Sequence, residues 1–235
     1  MNLKNKVIVI TWASEGIGKE IALRLAKENS KLALIARDEK KLVEVSKEAK
    51  KLGAVDVMIY PCDIRKTDKL ELAIKTIISQ FETIDILINN AGIWQKLMAI
   101  DEISKEVVDD VIGTNLLALI HTTRLVLPIL RTREDSAIIN VISKSGIIAQ
   151  EWQSIYTASK YWVRWFTEVL KADLKNSNVK VAWIYQSWTN TKMFEKTGEN
   201  FPTENFTSPS DIADVIAYML TRPDKLWLHD IYIEK

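Results

Sequence analysis

Short apolar runs alternate along the chain with longer stretches in which apolar residues recur every three to four positions. Val7-Ile8-Val9-Ile10 is four β-branched residues with no polar alternation and reads as a short buried strand. Residues 16–28 read as a helix, with Ile17, Ile21, Ala22 and Leu25 on one face. The rhythm then repeats. Strands are predicted at 32–35, at 57–60 before Pro61, and at 84–88. Between them lie a helix over 38–52 capped by Asp38 and one over 67–81 capped by Thr67 or Asp68. A helix over 104–131, kinked near Pro128, opens the second half. A strand at 137–142, a long helix over 153–175 and a strand at 179–184 follow. The chain closes with a helix over 209–221, started by Ser208-Pro209, and a strand at 228–233.

This alternation predicts an α/β fold, one doubly wound Rossmann-type domain over residues 1–235 with a seven-stranded parallel sheet and helices on both faces. No linker, repeat or low-complexity segment interrupts it. The segment 186–207 lacks periodicity, as functional lids do.

Composition excludes several classes. Hydrophobic residues at 47% are ample for a core, against disorder. A net charge of +1 gives no field for nucleic acid or an anionic membrane. Cys62 alone rules out a disulfide framework, and with only His121 and His229 no metal site is expected. No signal-peptide core or membrane-length apolar run of ~18 residues is read, so a cytoplasmic protein is expected. One imbalance stands out: eight tryptophans against seven glycines.

Three segments carry candidate chemistry. Thr11-Trp12-Ala13-Ser14-Glu15-Gly16-Ile17-Gly18 joins a strand to a helix through small residues. There, backbone N–H groups and the positive helix end can hold a pyrophosphate, or the segment is simply a turn. Asn89-Asn90-Ala91-Gly92 ends the fourth strand, as a turn or as the wall of a ligand crevice. Tyr156 and Lys160 lie four apart on one helix face, and a neighbouring ammonium lowers a phenol's pKa. A solvated Tyr-x-x-x-Lys face has the same spacing. Ser143 lies thirteen residues before Tyr156.

Taken together, in this order and spacing, these residues resemble the short-chain dehydrogenase/reductase family over nearly the whole chain. The resemblance implies an oxidoreductase that moves hydride between a nicotinamide and a carbonyl or secondary alcohol, of the carbonyl, 3-hydroxy acid or 3-oxoacyl reductase kind. It assigns Tyr156 as proton donor and Ser143 as carbonyl-oxygen partner. Lys160 would depress the Tyr156 pKa and bind the ribose, and Asn115 would support a water-linked proton relay. Cofactor contacts are implied at Thr11, Ser14, Glu15, Gly16, Ile17, Gly18, Asp63, Ile64, Asn90, Ala91, Gly92, Thr189 and Thr191, besides Tyr156 and Lys160. Ala36 stands where an acid would bind the ribose 2′-hydroxyl, and Arg37 follows it, so NADP is expected over NAD. Glu15 argues the other way.

The departures are specific. Trp12 replaces the loop's first glycine, and a positive φ there would cost a side chain about 1–2 kcal/mol. Trp152, Trp162 and Trp165 stand where relatives carry small residues, and Gln186-Ser187 where they carry Pro-Gly. An alternative therefore stays open: the same fold with cofactor binding impaired by Trp12, as an inactive or altered scaffold. The substrate pocket is expected from Trp94, Gln95, Gln150, Trp188 and residues 190–207. Helices 104–131 and 153–175 are expected to pair subunits into a homodimer or homotetramer. The short ending after the last strand resembles members acting on small hydroxy acids or general carbonyls.

Overall fold

The computed structural model describes every residue except Asp224 and Lys235. Its strands are β1 (Val7–Thr11), β2 (Lys31–Ala36), β3 (Asp56–Pro61), β4 (Ile86–Asn89), β5 (Ser136–Val141), β6 (Val179–Gln186) and β7 (Asp230–Ile233). They form one sheet in the order β3-β2-β1-β4-β5-β6-β7, every pair parallel. The strand order reverses between β1 and β4, and a doubly wound sheet opens its ligand crevice at such a point.

Both faces of the sheet are covered. Ile8 and Ile10 of β1 join one core with helices α1 (Gly16–Ala26), α2 (Glu39–Lys51) and α7 (Pro209–Leu220). Val7 and Val9 join the other, with α3 (Thr67–Phe81), α5 (Ala118–Leu130) and α6 (Ser154–Asp173). A strand buried on both faces needs a continuous apolar run, which is what β1 carries. A buried amide ladder ties the central strands to the helices behind them. Asn89 Nδ2 donates to Asn140 Oδ1 (2.9 Å) and Thr123 Oγ1 (3.1 Å), and Asn140 Nδ2 donates to Thr167 Oγ1 (2.8 Å).

The caps at Asp38 and Ser208 form as the sequence predicts. The cap of α3 does not: Lys66 takes that position without a side-chain bond. The last strand begins at Asp230 rather than Leu228. The largest difference lies in the predicted 104–131 helix. It divides into α4 (Lys105–Ile112), a π-helical turn (Gly113–Leu117) and α5. A π turn inserts one residue into the helical ladder without breaking the apolar stripe, so periodicity does not reveal it.

The stretch Lys105–Leu130 is also long and apolar enough, by length and composition, to cross a membrane, contrary to the reading that no such run exists. In the fold it is a helix of the three-layer core, with Val111, Ala118, Leu119, Val126 and Leu130 buried. Leu125, Leu127 and Ile129 pack half-buried against that core and Leu116 and Ile120 against a neighbouring cluster, while Leu117 is exposed.

Candidate active site

The turn after β1 is shaped by contacts that leave no room for side chains. A Cβ on Gly18 would overlap the Trp12 carbonyl oxygen and stand 2.6 Å from Asn90 Nδ2. Thr11 Oγ1 accepts from the N–H groups of Asn90 (3.0 Å) and Ala91 (3.1 Å), and Asn90 Nδ2 donates to the Thr11 carbonyl (3.1 Å). Thr11, Gly18, Asn90 and Ala91 thus lock the ends of β1 and β4 together. Side chains cap α2, α4 and α7, but none caps α1. Its first N–H groups, around Gly16, Ile17 and Gly18, are left for a ligand.

They border a cleft of about 570 Å³. Of the residues the sequence singles out, Ser14, Glu15, Gly16, Ile17, Arg37, Asn90, Gly92, Tyr156, Lys160 and Thr191 line it. Ser143 and Thr189 line a smaller, adjoining cavity. Asp63 and Ile64 border neither. Ile64 is buried, and the Asp63 carboxylate is gripped by the Arg65 guanidinium (Nη2 to Oδ2, 2.8 Å). That grip outweighs burial and holds the Asp63 pKa below its ordinary value.

Trp12 takes a φ of +55°, the left-handed conformation glycine favours. Its indole forms part of the cleft wall between two cations, Arg37 at 5.7 Å and Lys196 at 5.8 Å from ring centroids. Burial works to raise the Glu15 pKa, but bonds from Lys196 and Lys41 more than offset it, and the net shift is downward. Lys41 and Lys196 were not singled out from sequence. Lys41 lies one turn beyond Arg37, and Lys196 sits in the aperiodic segment, where spacing carries no signal.

Tyr156 and Lys160 face the cleft from α6, and each is only 3% exposed. Lys160 Nζ lies 5.8 Å from the centroid of the Tyr156 ring and donates to the Val141 carbonyl (3.4 Å). A Cβ on Gly92 would stand 3.2 Å from that ammonium, so glycine keeps its approach open. Burial pushes Tyr156 up to about 12, and its hydrogen bond with Ser143 only partly opposes this. Burial also pulls Lys160 down to about 8. In the free protein loss of water is the leading influence on both Tyr156 and Lys160.

Asn115 occupies the π turn. Its Oδ1 accepts from Ile93 N (2.7 Å), and its Nδ2 donates to Ile93 O (3.0 Å) and Ser159 Oγ (3.1 Å). Ser159 Oγ donates to the Tyr156 carbonyl (2.6 Å). Asn115 thereby fixes the β4 loop against the catalytic turn of α6. Gln95, expected in the pocket, instead accepts from Tyr156 N (2.8 Å) and holds the start of that helix.

Trp94, Gln150 and Trp188 join Ser143 and Tyr156 around the small cavity, of about 50 Å³. Gln186 borders both spaces, and its buried Oε1 has no partner.

Residues 6–201 match the family model described as short chain dehydrogenase. The chain is a short-chain dehydrogenase/reductase. It is 31% identical to an oxidoreductase of Staphylococcus aureus over 98% of this chain and 97% of that one. It is 30% identical to the 3-oxoacyl-acyl-carrier-protein reductase FabG of Staphylococcus epidermidis, over 92% and 91%. Among solved structures it is similar to an actinorhodin polyketide ketoreductase variant with NADPH (27% identity, TM-score 0.85, 97% and 95% covered). It also resembles a Brucella melitensis 3-ketoacyl-acyl-carrier-protein reductase with NADH (25% identity, TM-score 0.87, 98% and 97% covered). As a member of this family, the chain is an NAD(P)-dependent oxidoreductase acting on CH–OH groups.

The residues present fit such a cofactor. The cleft volume suits a ligand site, the uncapped α1 amides suit a pyrophosphate, and the orphaned Gln186 Oε1 suits a hydrogen-bond donor at the inner end.

Proposed function

We propose that the enzyme reduces carbonyl compounds and prefers NADPH to NADH. The carrying observation is the group of cations at the outer end of the cleft. Arg37, Lys41 and Lys196 border a recess of about 400 Å³ with Trp12, Ala36 and the acids Glu15 and Asp38; Glu15 pairs with both lysines, so the preference rests first on Arg37. An acid at position 36 would repel a 2′-phosphate; alanine does not, and Arg37 offers a two-pronged donor. The impaired-scaffold reading is disfavoured because the indole of Trp12 leaves the cleft at about 570 Å³.

The bound nicotinamide supplies the hydride. The protein's part follows from its own atoms. The α1 N–H groups hold the pyrophosphate, and Lys160 binds ribose hydroxyls. The Ser143 hydroxyl donates to the substrate carbonyl oxygen, stabilising developing negative charge. Tyr156 Oη gives that oxygen its proton. A phenol pushed up to about 12 is fully protonated at neutral pH, the state that reduction requires. Asn115 shapes the space through which a water replaces that proton.

Calorimetric titration with NADPH and NADH tests the reading. NADPH should bind at least tenfold more tightly, followed by ketone-dependent loss of NADPH absorbance. Equal affinities would overturn the preference, and no binding of either cofactor would restore the impaired-scaffold reading.

We also infer association into a homodimer or a tetramer of dimers. Trp162, Trp165 and Val169 share one exposed face of α6, and Leu117 of the other long helix is exposed as well. Light scattering should give at least twice 26.9 kDa, and Trp162→Ala with Trp165→Gly should alter that mass. A wild-type monomer would refute this.

A further inference from the structure

One wall of the cavity beside the reacting hydroxyl is built of rings, Trp94, Trp188 and Phe194 with Met193, and it faces a polar wall of Ser143, Ser145, Gln150, Gln153 and Gln186. Backbone bonds from Asn190 N to Thr207 O and from Thr207 N to Trp188 O (both 2.9 Å) close the segment 188–207 into a loop. Its inner side carries Trp188, Met193, Phe194, Phe201 and Phe206, packed with Trp94 and Tyr156. Trp94 meets Tyr156 edge-on at 4.7 Å, and Phe194 meets Trp94 at 5.2 Å. Neighbouring rings at this spacing form a wall, not scattered surface contacts.

The charged groups near this wall are already engaged, the anion by neutral hydrogen-bond donors and the cation by an ion pair. Glu199 accepts from Trp94 Nε1 (2.5 Å), Leu97 N (3.0 Å) and Thr197 Oγ1 (3.2 Å), clamping the loop to the Trp94 wall. Lys144, which lines the small cavity, is paired with Glu234. Lys160 borders the large cleft and not this cavity. Gln153 donates to Gln150 (2.6 Å) and accepts from Ser145 (3.4 Å).

Size narrows the choice further. A cavity that binds benzene measures about 150 Å³. The space beside Ser143 and Tyr156 is about 50 Å³. A single ring enters if one wall side chain yields; a long or branched ligand requires the whole loop to leave.

We propose that this chamber selects compact ring ketones, or the matching secondary alcohols, and rejects substrates bearing a carboxylate or phosphate. The proposal rests on the reading of Tyr156 and Ser143 as the reacting pair. A carboxylate entering the chamber would give up water without meeting a free cation. A neutral ring would exchange water for the rings of Trp94, Trp188 and Phe194.

The test uses three ketones of one shape: acetophenone, 4-acetylbenzoate and 4-acetyl-N,N,N-trimethylanilinium. Reduction is followed with NADPH and with NADH. Binding is followed by tryptophan fluorescence in Tyr156→Phe, with and without cofactor, so that it does not depend on turnover. Acetophenone should exceed 4-acetylbenzoate at least tenfold in kcat/KM, and in binding where turnover is absent, while the trimethylanilinium, to which the rings offer their faces, serves as the control for size. Trp188→Ala should raise kcat/KM for benzophenone at least tenfold by removing one wall. Equal or better handling of the anion overturns the proposal, as does failure of all three to bind. Failure of both cofactors to bind, with acetophenone still bound selectively, would instead fault the oxidoreductase assignment and leave the chamber's selectivity standing.

Discussion

The two halves of the cleft are built by different means. The cofactor half is open, about 570 Å³, and its shape comes from backbone: strand ends locked by Thr11 and Asn90, and helix amides that no side chain caps. The substrate half is small, about 50 Å³, and its shape comes largely from side chains of a loop with little regular structure. Backbone geometry suits a ligand used in common by many enzymes. Interlocked rings can change one residue at a time and so suit a ligand particular to one. Tyr156 stands at the boundary, bordering both spaces.

The largest expected effect is at that boundary. Tyr156→Phe removes the proton donor and keeps the ring that meets Trp94. Reduction should fall by about 10²–10⁴-fold, while cofactor affinity stays within a few-fold. An equal loss of affinity would show that the two halves are not separable at this residue. Retention of most activity would sink the assigned role.

Lys160 provides a second break, this time in stability. Burial holds it at about 8, against an ordinary value of 10.5. Below pH 8 both folded and unfolded chains carry the proton, and the fold bears the full cost of the buried ammonium. Between pH 8 and 10.5 only the unfolded chain keeps it, so stability rises with pH across that window. Lys160→Met should therefore abolish activity yet stabilise the protein at pH 7 by up to roughly 3 kcal/mol. The gain should shrink as pH approaches 10; above that, Tyr156, held up to about 12, works in the opposite sense. Urea titrations of both proteins at pH 7 and 9.5 measure this. A destabilised variant at pH 7 would mean that the ammonium holds the site together.

Much of the cofactor half was legible in the sequence, because its requirements fall on residue types at fixed spacing. Gly16 and Gly18 mark the turn, Asp38 the next helix, and Tyr156 with Lys160 one face of a third. What stayed hidden depended on distance and burial. The four-residue spacing of Tyr156 and Lys160 is visible, but the loss of water that drives their pKa values apart is not. The π turn under Asn115 leaves the apolar stripe unbroken. Lys196, Phe201 and Glu199 lie in an aperiodic segment, and only folding shows that one reaches the cofactor half and two reach the substrate half.

Arg37 examines the outer end of the open half. It is exposed and stands over the Trp12 ring at 5.7 Å. If it meets the 2′-phosphate, Arg37→Ala removes a charge-assisted bond contributing about 1.5–3 kcal/mol. Calorimetry should show NADPH weakened roughly ten- to hundredfold and NADH scarcely changed. Equal weakening of both would make Arg37 a support for the loop, and selectivity would then rest on Lys41 or Lys196.

The smallest effect separates two tryptophans that share a backbone conformation. Trp12 has φ +55° and Trp152 has φ +62°. In each case glycine relieves about 1–2 kcal/mol of left-handed strain but loosens the unfolded chain by about 0.5–1 kcal/mol. Trp152 is 58% exposed, and among the described residues no cation flanks its ring. Its backbone carbonyl, which accepts from Met98 N and Gln95 Nε2, survives the change. Trp152→Gly should therefore stabilise by up to about 1 kcal/mol. Trp12 also interacts with Arg37 and Lys196, contacts worth about 0.5–1 kcal/mol each at exposed sites. Those losses, with that of the half-buried indole's packing against the core, at least cancel the strain relief, and Trp12→Gly should be neutral to destabilising in urea unfolding. If Trp12→Gly instead stabilises as much as Trp152→Gly, the flanking cations contribute nothing. The open half would then owe its form to backbone alone, and the contrast with the ring-walled half would be sharper than the structure suggests.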